Sequence, residues 1–386
     1  EYEKKSANEQ QSTVKQYPNI ITVVNETFAD IKVLGDFKTN EDYMPYFHSL
    51  KKNCVTGYTY ASIVGGQTAN TEFELLTGNT LGFLSAGTTA FQLYIHGQMP
   101  SLVSNLKAEG YSGNKAMHPF NPYNYNRPAV YKDFGFTDFI DKFDFPKNVK
   151  RVREYISDEA NVDRIISEYE KNRKKTDQPF YMYNMTIQNH SPYDKDAANF
   201  KQPIKIESSK YDAEANRYLN LIKYSDDSLK QLTSYFEKCK EPTIILFLGD
   251  HQPRLTDEFM NKITNGQYQT WSSEQMMKRY QVPFVIWANY DIKEQHIEKT
   301  SMNYIQSILT KPAGVKMTGY QRFLNEVRKE VPTITSQGYW GKNGKFYQIN
   351  DKGSPYYGII QKYRMIQYNM MFDKKNRRDS FFEVSK

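Results

Sequence analysis

Asn19-Ile20-Ile21-Thr22-Val23-Val24-Asn25-Glu26 is the stretch whose reading decides the fold. Its apolar, β-branched run marks a strand buried on both faces, since a half-exposed strand would alternate polar and apolar residues. Three further runs resemble it: Pro179–Ile187, Thr243–Leu248 and Pro283–Ala288. Segments of helical period lie between them. From Ala213 to Lys238, the residues Tyr218, Ile222, Leu229, Leu232 and Phe236 fall on one helical face. Ser157-Asp158-Glu159 opens a second helix, which carries Val162, Ile165, Ile166 and Tyr169. Strands alternating with helices predict an α/β fold with a mostly parallel central sheet flanked by helices. Ligands of such sheets bind beyond the carboxyl ends of the strands.

Outward from this core, the pattern gives three parts. Residues 1–18 are polar and read as a linker; residues 19–310 carry the strand–helix alternation. Residues 311–386 turn to Gly, aromatic and short alternating segments such as Lys345-Phe346-Tyr347-Gln348-Ile349, before a turn at Asn350-Asp351-Lys352-Gly353. They predict a small C-terminal antiparallel subdomain packed on the main one.

The 386 residues are 39% hydrophobic and 25% charged, as expected of a globular protein that is not membrane-embedded. No run approaches the ~20 apolar residues of a membrane span. The chain opens on Glu1 without a signal peptide, and so reads as an excised or processed portion of a longer protein. The net charge of +7, from 51 Lys and Arg against 44 Asp and Glu, suits an anionic substrate, an acidic polymer or an anionic membrane surface. No Arg-rich block or aromatic–basic module points to nucleic acid. The dense cluster Lys374-Lys375-Asn376-Arg377-Arg378 reads as a solvated tail, and 31 Tyr could supply sugar-stacking surfaces or reflect compositional drift. Cys54 and Cys239 exclude a disulfide framework and leave a single bridge open.

The chemistry gathers at the strand ends. The first strand ends in Asn25-Glu26 and the third in Gly249-Asp250-His251, both able to bind a metal and both at the same edge of the sheet. Between them lies Gly65-Gly66-Gln67-Thr68-Ala69-Asn70-Thr71-Glu72-Phe73-Glu74-Leu75-Leu76-Thr77-Gly78. The glycines permit a tight turn, Ala69, Phe73 and Leu76 follow helical spacing, and Gly78 is a stop. Thr68 thus stands at a helix N-terminus, where amides and dipole favour an anion. Thr68 is either the helix cap or a nucleophile activated by a metal. Oxygen ligands with one imidazole suit Mn²⁺, Mg²⁺ or Zn²⁺.

These segments resemble the alkaline phosphatase and sulfatase superfamily, and more narrowly the lipoteichoic acid synthase type of glycerol phosphate transferase, from about Asn19 to about Thr310. The resemblance implies metal ligands at Glu26, Thr68, Asp250 and His251, with Thr68 also the nucleophile and Mn²⁺ the usual ion. Sulfatases proper carry Cys or Ser followed by Pro and Arg at this position, a pattern absent here. In Met117-His118-Pro119-Phe120-Asn121-Pro122-Tyr123-Asn124-Tyr125-Asn126-Arg127, the resemblance places His118, Tyr125 and Arg127 on the glycerol phosphate group. The synthases carry Trp where Tyr125 stands. Asn70 and His190, in the Asn189-His190 pair, complete the implied substrate contacts, and His190 and His118 are the implied proton carriers. Arg254 is close enough in sequence to reach an anion; His48 and His96 read as structural or exposed.

The resemblance further implies a membrane-anchored enzyme whose catalytic domain lies on the extracellular face of a Gram-positive plasma membrane. The implied donor is a phosphatidylglycerol-type lipid, and the acceptor a teichoic acid chain, a glycolipid primer or a cell-wall polysaccharide. The last would match streptococcal enzymes that decorate such a polymer with single glycerol phosphate groups. Two alternatives stand beside it: a metal-dependent phosphodiesterase or phosphatase, and a polymer-binding module without catalysis.

Overall fold

The computed structural model describes residues 16–207, 213–266 and 268–384; the first fifteen residues of the expected linker lie outside the described residues. The main sheet begins with β1 (Asn19–Asn25), β2 (Cys54–Tyr60), β3 (Ser112–Met117) and β4 (Asp138–Ile140). A separate hairpin comes next, β5 (Arg151–Val152) and β6 (Tyr155–Ile156). The sheet is completed by β7 (Phe180–Met185), β8 (Thr243–Gly249), β9 (Gln281–Ala288) and β10 (Gln295–Ser301). The spatial order is β10-β2-β9-β8-β1-β7-β3-β4, and only β9 runs against its neighbours. The mostly parallel α/β architecture is therefore as expected.

β1 lies in the middle of the parallel block. Every one of its residues is buried, which is why it shows no polar alternation. Its register sets Val24 opposite Met185 on β7 and Leu248 on β8, and Asn25 opposite Gly249. The chain therefore leaves β1, β7 and β8 at one level. A Cβ at Gly249 would lie 1.8 Å from the Phe28 carbonyl oxygen, so only glycine lets the β1 exit loop cross here.

The helices Asp158–Arg173 and Ala213–Phe236 pack on each other and against β3, β7 and β8. Ser157 caps the first, its hydroxyl accepting from the Ala160 amide at 3.1 Å. The helix Thr68–Thr77 is buried along its whole length and packs on Ala90–Leu93, Leu102–Ala108 and Ile305–Ala313.

The C-terminal part holds the expected small antiparallel sheet: β11 (Thr333–Thr335), β12 (Gly338–Trp340) and β13 (Phe346–Tyr347). Of the alternating Lys345–Ile349 segment only Phe346 and Tyr347 pair. The boundary expected near 310 falls inside the helix Ile305–Ala313, and a helix not foreseen, Tyr357–Phe372, dominates the C-terminal part. Ile360, Tyr363 and Met370 of that helix share one continuous core with β1. Tyr363 donates to the Gly78 carbonyl at 2.6 Å, and Gln367 bonds both the amide (2.8 Å) and the carbonyl (2.9 Å) of Thr80. The C-terminal helix thus pins the far end of the helix that Thr68 begins. Cys54 and Cys239 are both free thiols.

Candidate active site

The aligned exits of β1, β8, β7 and β3 deliver Glu26, Asp250-His251, His190 and His118 to the carboxyl edge of the sheet. A cleft opens there. Its walls include Glu26, Thr68, His118, Tyr125, Arg127 and His190, with His251 and Arg254. Among the expected site residues, Asp250 lies just behind that wall and Asn70 does not reach it.

Glu26, Asp250 and His251 are buried, and one ligand atom from each lies within 4.8 Å of the others. Asp250 Oδ1 accepts from the Thr27 amide at 2.7 Å and the His251 amide at 2.8 Å. Its Oδ2 has no hydrogen-bond partner and faces His251 Nε2 at 3.2 Å. His251 donates from Nδ1 to the Gln252 carbonyl at 3.0 Å, so in the neutral ring Nε2 keeps its lone pair, also without a partner. Glu26 Oε1 is 3.7 Å from that nitrogen. Burial, then the neighbouring Asp250 charge, pushes the Glu26 carboxyl well above its ordinary range. Buried acceptors facing one another without a donor fit a cation, and their N and O types fit Mn²⁺, Mg²⁺ or Zn²⁺.

Thr68 reaches this group from the other side: its hydroxyl stands close enough to the Glu26 carboxyl to favour the charged form, and the residue is 7% exposed. It is the first residue of its helix and not the cap. The cap position is Gln67, held at φ 64° with no side-chain capping bond. Gly65 and Gly66, at φ 68° and 146°, make the preceding turn. The uncapped helix start therefore faces the cleft beside the hydroxyl.

Arg127 is 1% exposed and paired with Glu72, a turn after Thr68. Its Nε and Nη2 donate to Glu72 Oε1 at 3.1 and 2.7 Å. The other carboxylate oxygen accepts from Tyr131 at 2.5 Å and Tyr183 at 3.1 Å. Burial disfavours the guanidinium charge, but Glu72 outweighs it and shifts the pKa up. Tyr125, in the left-handed region at φ 58°, lays its ring 5.1 Å from the Arg127 guanidinium.

His118 donates from Nδ1 to the Met185 carbonyl at 3.0 Å. Burial, then the Arg127 charge, holds its pKa well below the ordinary value, leaving a neutral ring with an acceptor nitrogen. His190 uses the same device: Nδ1 donates to the Ser191 carbonyl at 2.7 Å while its ring stacks on Phe120. Three imidazoles are thus oriented by backbone carbonyls through Nδ1, which leaves each Nε2 for cleft chemistry.

Asn70 serves the loop behind the site. Its amide donates to the Thr88 carbonyl at 2.7 Å and accepts from the Ala90 amide at 2.9 Å. Asn189, beside His190, donates to Asn25 Oδ1 (3.1 Å), the Glu26 carbonyl (3.0 Å) and Ser225 Oγ (2.8 Å). Asp158 joins this network, accepting from Asn25 at 2.7 Å and Ser225 at 2.6 Å. The sequence reading missed Glu72, Asp158 and Phe120 as site supports. Glu72 carried one usable signal, its i+4 position behind Thr68. His48 pairs with Asp42 at 2.7 Å and exposed His96 bonds the Leu93 carbonyl, so both stay outside the cleft.

A family model described as Sulfatase matches residues 18–310. A putative cyclic beta-1,2-glucan modification protein of Rhizobium meliloti (strain 1021) is 31% identical over 380 residues, 96% of this chain. The chain spans 57% of that relative's length. The Streptococcus pyogenes phosphoglycerol transferase GacH, solved in complex with sn-glycerol-1-phosphate, superimposes with a TM-score of 0.77 at 20% identity, over 100% of this chain and 94% of that one. The lipoteichoic acid synthase LtaP from Listeria monocytogenes gives 0.68 at 19% identity, over 96% and 98%.

Proposed function

The chain belongs to the sulfatase family, and from that premise we propose that it transfers glycerol phosphate from a phosphatidylglycerol-type lipid to a polysaccharide hydroxyl through a covalent intermediate on Thr68. The observation that carries this reading is the Thr68 hydroxyl, set at an uncapped helix start in the same cleft as Glu26 and His251 and beside the Glu26–Asp250–His251 group. The solved transferases named above support glycerol phosphate as the group moved. The glucan-modifying relative favours a sugar polymer as acceptor over a teichoic acid chain. The reaction would take place outside the plasma membrane, with any anchor in segments beyond this chain.

Glu26, Thr68, Asp250 and His251 would hold the divalent ion, Mn²⁺ first and Mg²⁺ or Zn²⁺ as alternatives. Bound there, it would lower the pKa of the Thr68 hydroxyl and offset charge on the phosphoryl oxygens. Thr68 Oγ1 bonds to phosphorus as the bond from phosphorus to the diacylglycerol oxygen breaks, and that oxygen takes up the proton that Thr68 gives up. Arg127, kept cationic by Glu72, and the amides at the helix start hold the phosphoryl oxygens. Neutral His118 accepts a hydrogen bond from a glycerol hydroxyl, and Tyr125 packs on the glycerol carbons. In the second step the acceptor hydroxyl gives its proton to His190 Nε2 as its oxygen bonds phosphorus, the bond from phosphorus to Thr68 Oγ1 breaks, and the proton passes on to that departing oxygen. Two in-line displacements give retention at phosphorus and ping-pong kinetics.

The competing reading is a hydrolase, with water in place of the acceptor. Incubation with phosphatidylglycerol and Mn²⁺, with and without a β-glucan, separates the two. Transfer predicts glycerol phosphate on the glucan and little release without it; equal release in both reactions would sink the transferase reading.

A further inference from the structure

Among the described residues, six large apolar side chains are exposed: Leu93, Tyr123, Phe143, Met365, Tyr368 and Phe372, between 44% and 79%. They are not scattered. Met365, Tyr368 and Phe372 follow i, i+3, i+7 spacing and share one face of the helix Tyr357–Phe372. The Phe372 ring meets Tyr94, next to Leu93, edge-on at 5.3 Å. The short helix Ala90–Leu93 packs in turn on Asn124–Asn126, the turn that brings Tyr125 to the catalytic cleft and that Tyr123 precedes. Phe143 lines a neighbouring groove that shares Phe120 with the cleft. Leu93, Met365, Tyr368 and Phe372 thus gather around Tyr94, and Tyr123 and Phe143 flank Asn124-Tyr125 and Phe120, which do line the cleft.

Cations stand beside them. Lys374, Lys375, Arg377 and Arg378 come directly after the apolar helix. Lys374 Nζ bonds the His96 carbonyl and Arg377 Nη1 the Gln98 carbonyl at 3.4 Å, so the basic segment is fixed to the chain just beyond Leu93. Lys142 lies 5.0 Å from the Phe143 ring. The two acids of the basic segment are already bonded: Asp379 to Arg377 at 2.6 Å and Asp373 to Asn376 at 2.9 Å.

We propose that this rim docks on an anionic phospholipid bilayer, its aromatic and aliphatic side chains entering the headgroup boundary and its lysines and arginines meeting lipid phosphates, so that the cleft opens onto the membrane surface. Exposed Tyr, Phe, Leu and Met flanked by Lys and Arg suit an interface that is apolar on one side and negative on the other. A second copy of the chain would bring like charges together across a two-fold contact. A glycan would need polar partners for its hydroxyls, which Leu93, Met365 and Phe372 cannot supply. Docking rests on the proposed function only for the identity of the lipid consumed.

Co-sedimentation tests it, using vesicles of phosphatidylcholine, of phosphatidylcholine with phosphatidylserine (anionic but not the donor), and of phosphatidylcholine with phosphatidylglycerol. The wild-type chain should bind both anionic vesicles, lose binding with added salt, and ignore pure phosphatidylcholine. Lys374→Gln/Lys375→Gln should bind about 25-fold more weakly, at about fivefold per charge. Tyr368→Ser should also weaken binding, and both variants should match wild type on a short-chain soluble donor. Unchanged vesicle binding in both variants would overturn the proposal, as would a wild type that ignores phosphatidylserine vesicles. Self-association of wild type that the variants lose would do the same. Binding to phosphatidylserine vesicles without any glycerol phosphate transfer would sink the donor assignment and leave docking standing.

Discussion

Replacing Glu72 by Gln tests whether the Arg127 charge depends on one buried partner. The two side chains are 0% and 2% exposed, and two of the guanidinium nitrogens donate to the same carboxylate oxygen. Removing the carboxylate charge leaves a buried cation uncompensated, a change that costs about 3–5 kcal/mol where one partner of a buried pair is removed. Gln keeps the shape and one acceptor, so the loss should fall near the lower figure, still a large part of the roughly 5–15 kcal/mol that holds a domain folded. Arg127→Met should cost a similar amount, because the carboxylate is then the stranded charge. The double variant removes both charges, and its cost should fall short of the sum of the singles by about 2 kcal/mol or more. Urea unfolding of wild type and the three variants, with midpoints and slopes, measures these terms. The double variant should also fold well yet fail to transfer, since the proposed mechanism gives Arg127 a separate part in holding phosphate. Single-variant losses that add to within about 0.5 kcal/mol would refute the pairing.

Thr68→Ala should abolish turnover with unfolding behaviour close to wild type, while Thr68→Ser, which keeps the hydroxyl, should retain measurable transfer; substantial transfer by the Ala variant removes the covalent mechanism. Buried Glu74 accepts from Ser62 at 2.7 Å and the Leu81 amide at 2.9 Å, and burial pushes its carboxyl up to about 7. Its folded pKa lies above its unfolded one, so the folded state binds the extra proton between about pH 4.5 and 7. Stability should therefore fall as pH rises through that window and level off above it. Glu74→Gln should flatten this slope in urea titrations, gaining about 3 kcal/mol over wild type at pH 8. Parallel slopes for the two proteins would contradict the assignment.

The residues most deeply committed to one environment were the easiest to read. β1, β7, β8 and β9 are buried on both faces and announce themselves as apolar runs. β10 was hidden because an edge strand exposes Gln295, His296 and Glu298, and β3 because Gly113 and Asn114, both at positive φ, break its register. The helix Tyr357–Phe372 was missed for a different reason: Met365, Tyr368 and Phe372 are apolar on its exposed face, which erases the contrast that marks an amphipathic helix. At the candidate site, the nearness of Glu26, Thr68, Asp250 and His251 could be read because each sits just beyond a strand end or a glycine turn. The Arg127–Glu72 pair was not, since its partners lie 55 residues apart and meet only when the sheet is assembled. Asn70, which the resemblance placed among the substrate contacts, is buried and its amide bonds the Thr88–Ala90 loop. Thr68 itself looked like a helix cap, and Gln67 in the left-handed region takes that position instead.

The covalent step is tested most directly by intact-protein mass spectrometry after incubation with phosphatidylglycerol and Mn²⁺ in the absence of acceptor. A mass increase equal to one glycerol phosphate less water, mapped by fragmentation to Thr68 and absent from Thr68→Ala, is the expected result. Complete conversion of the lipid by the wild-type chain with no adduct at any time point, together with inversion at phosphorus in the product, would contradict it.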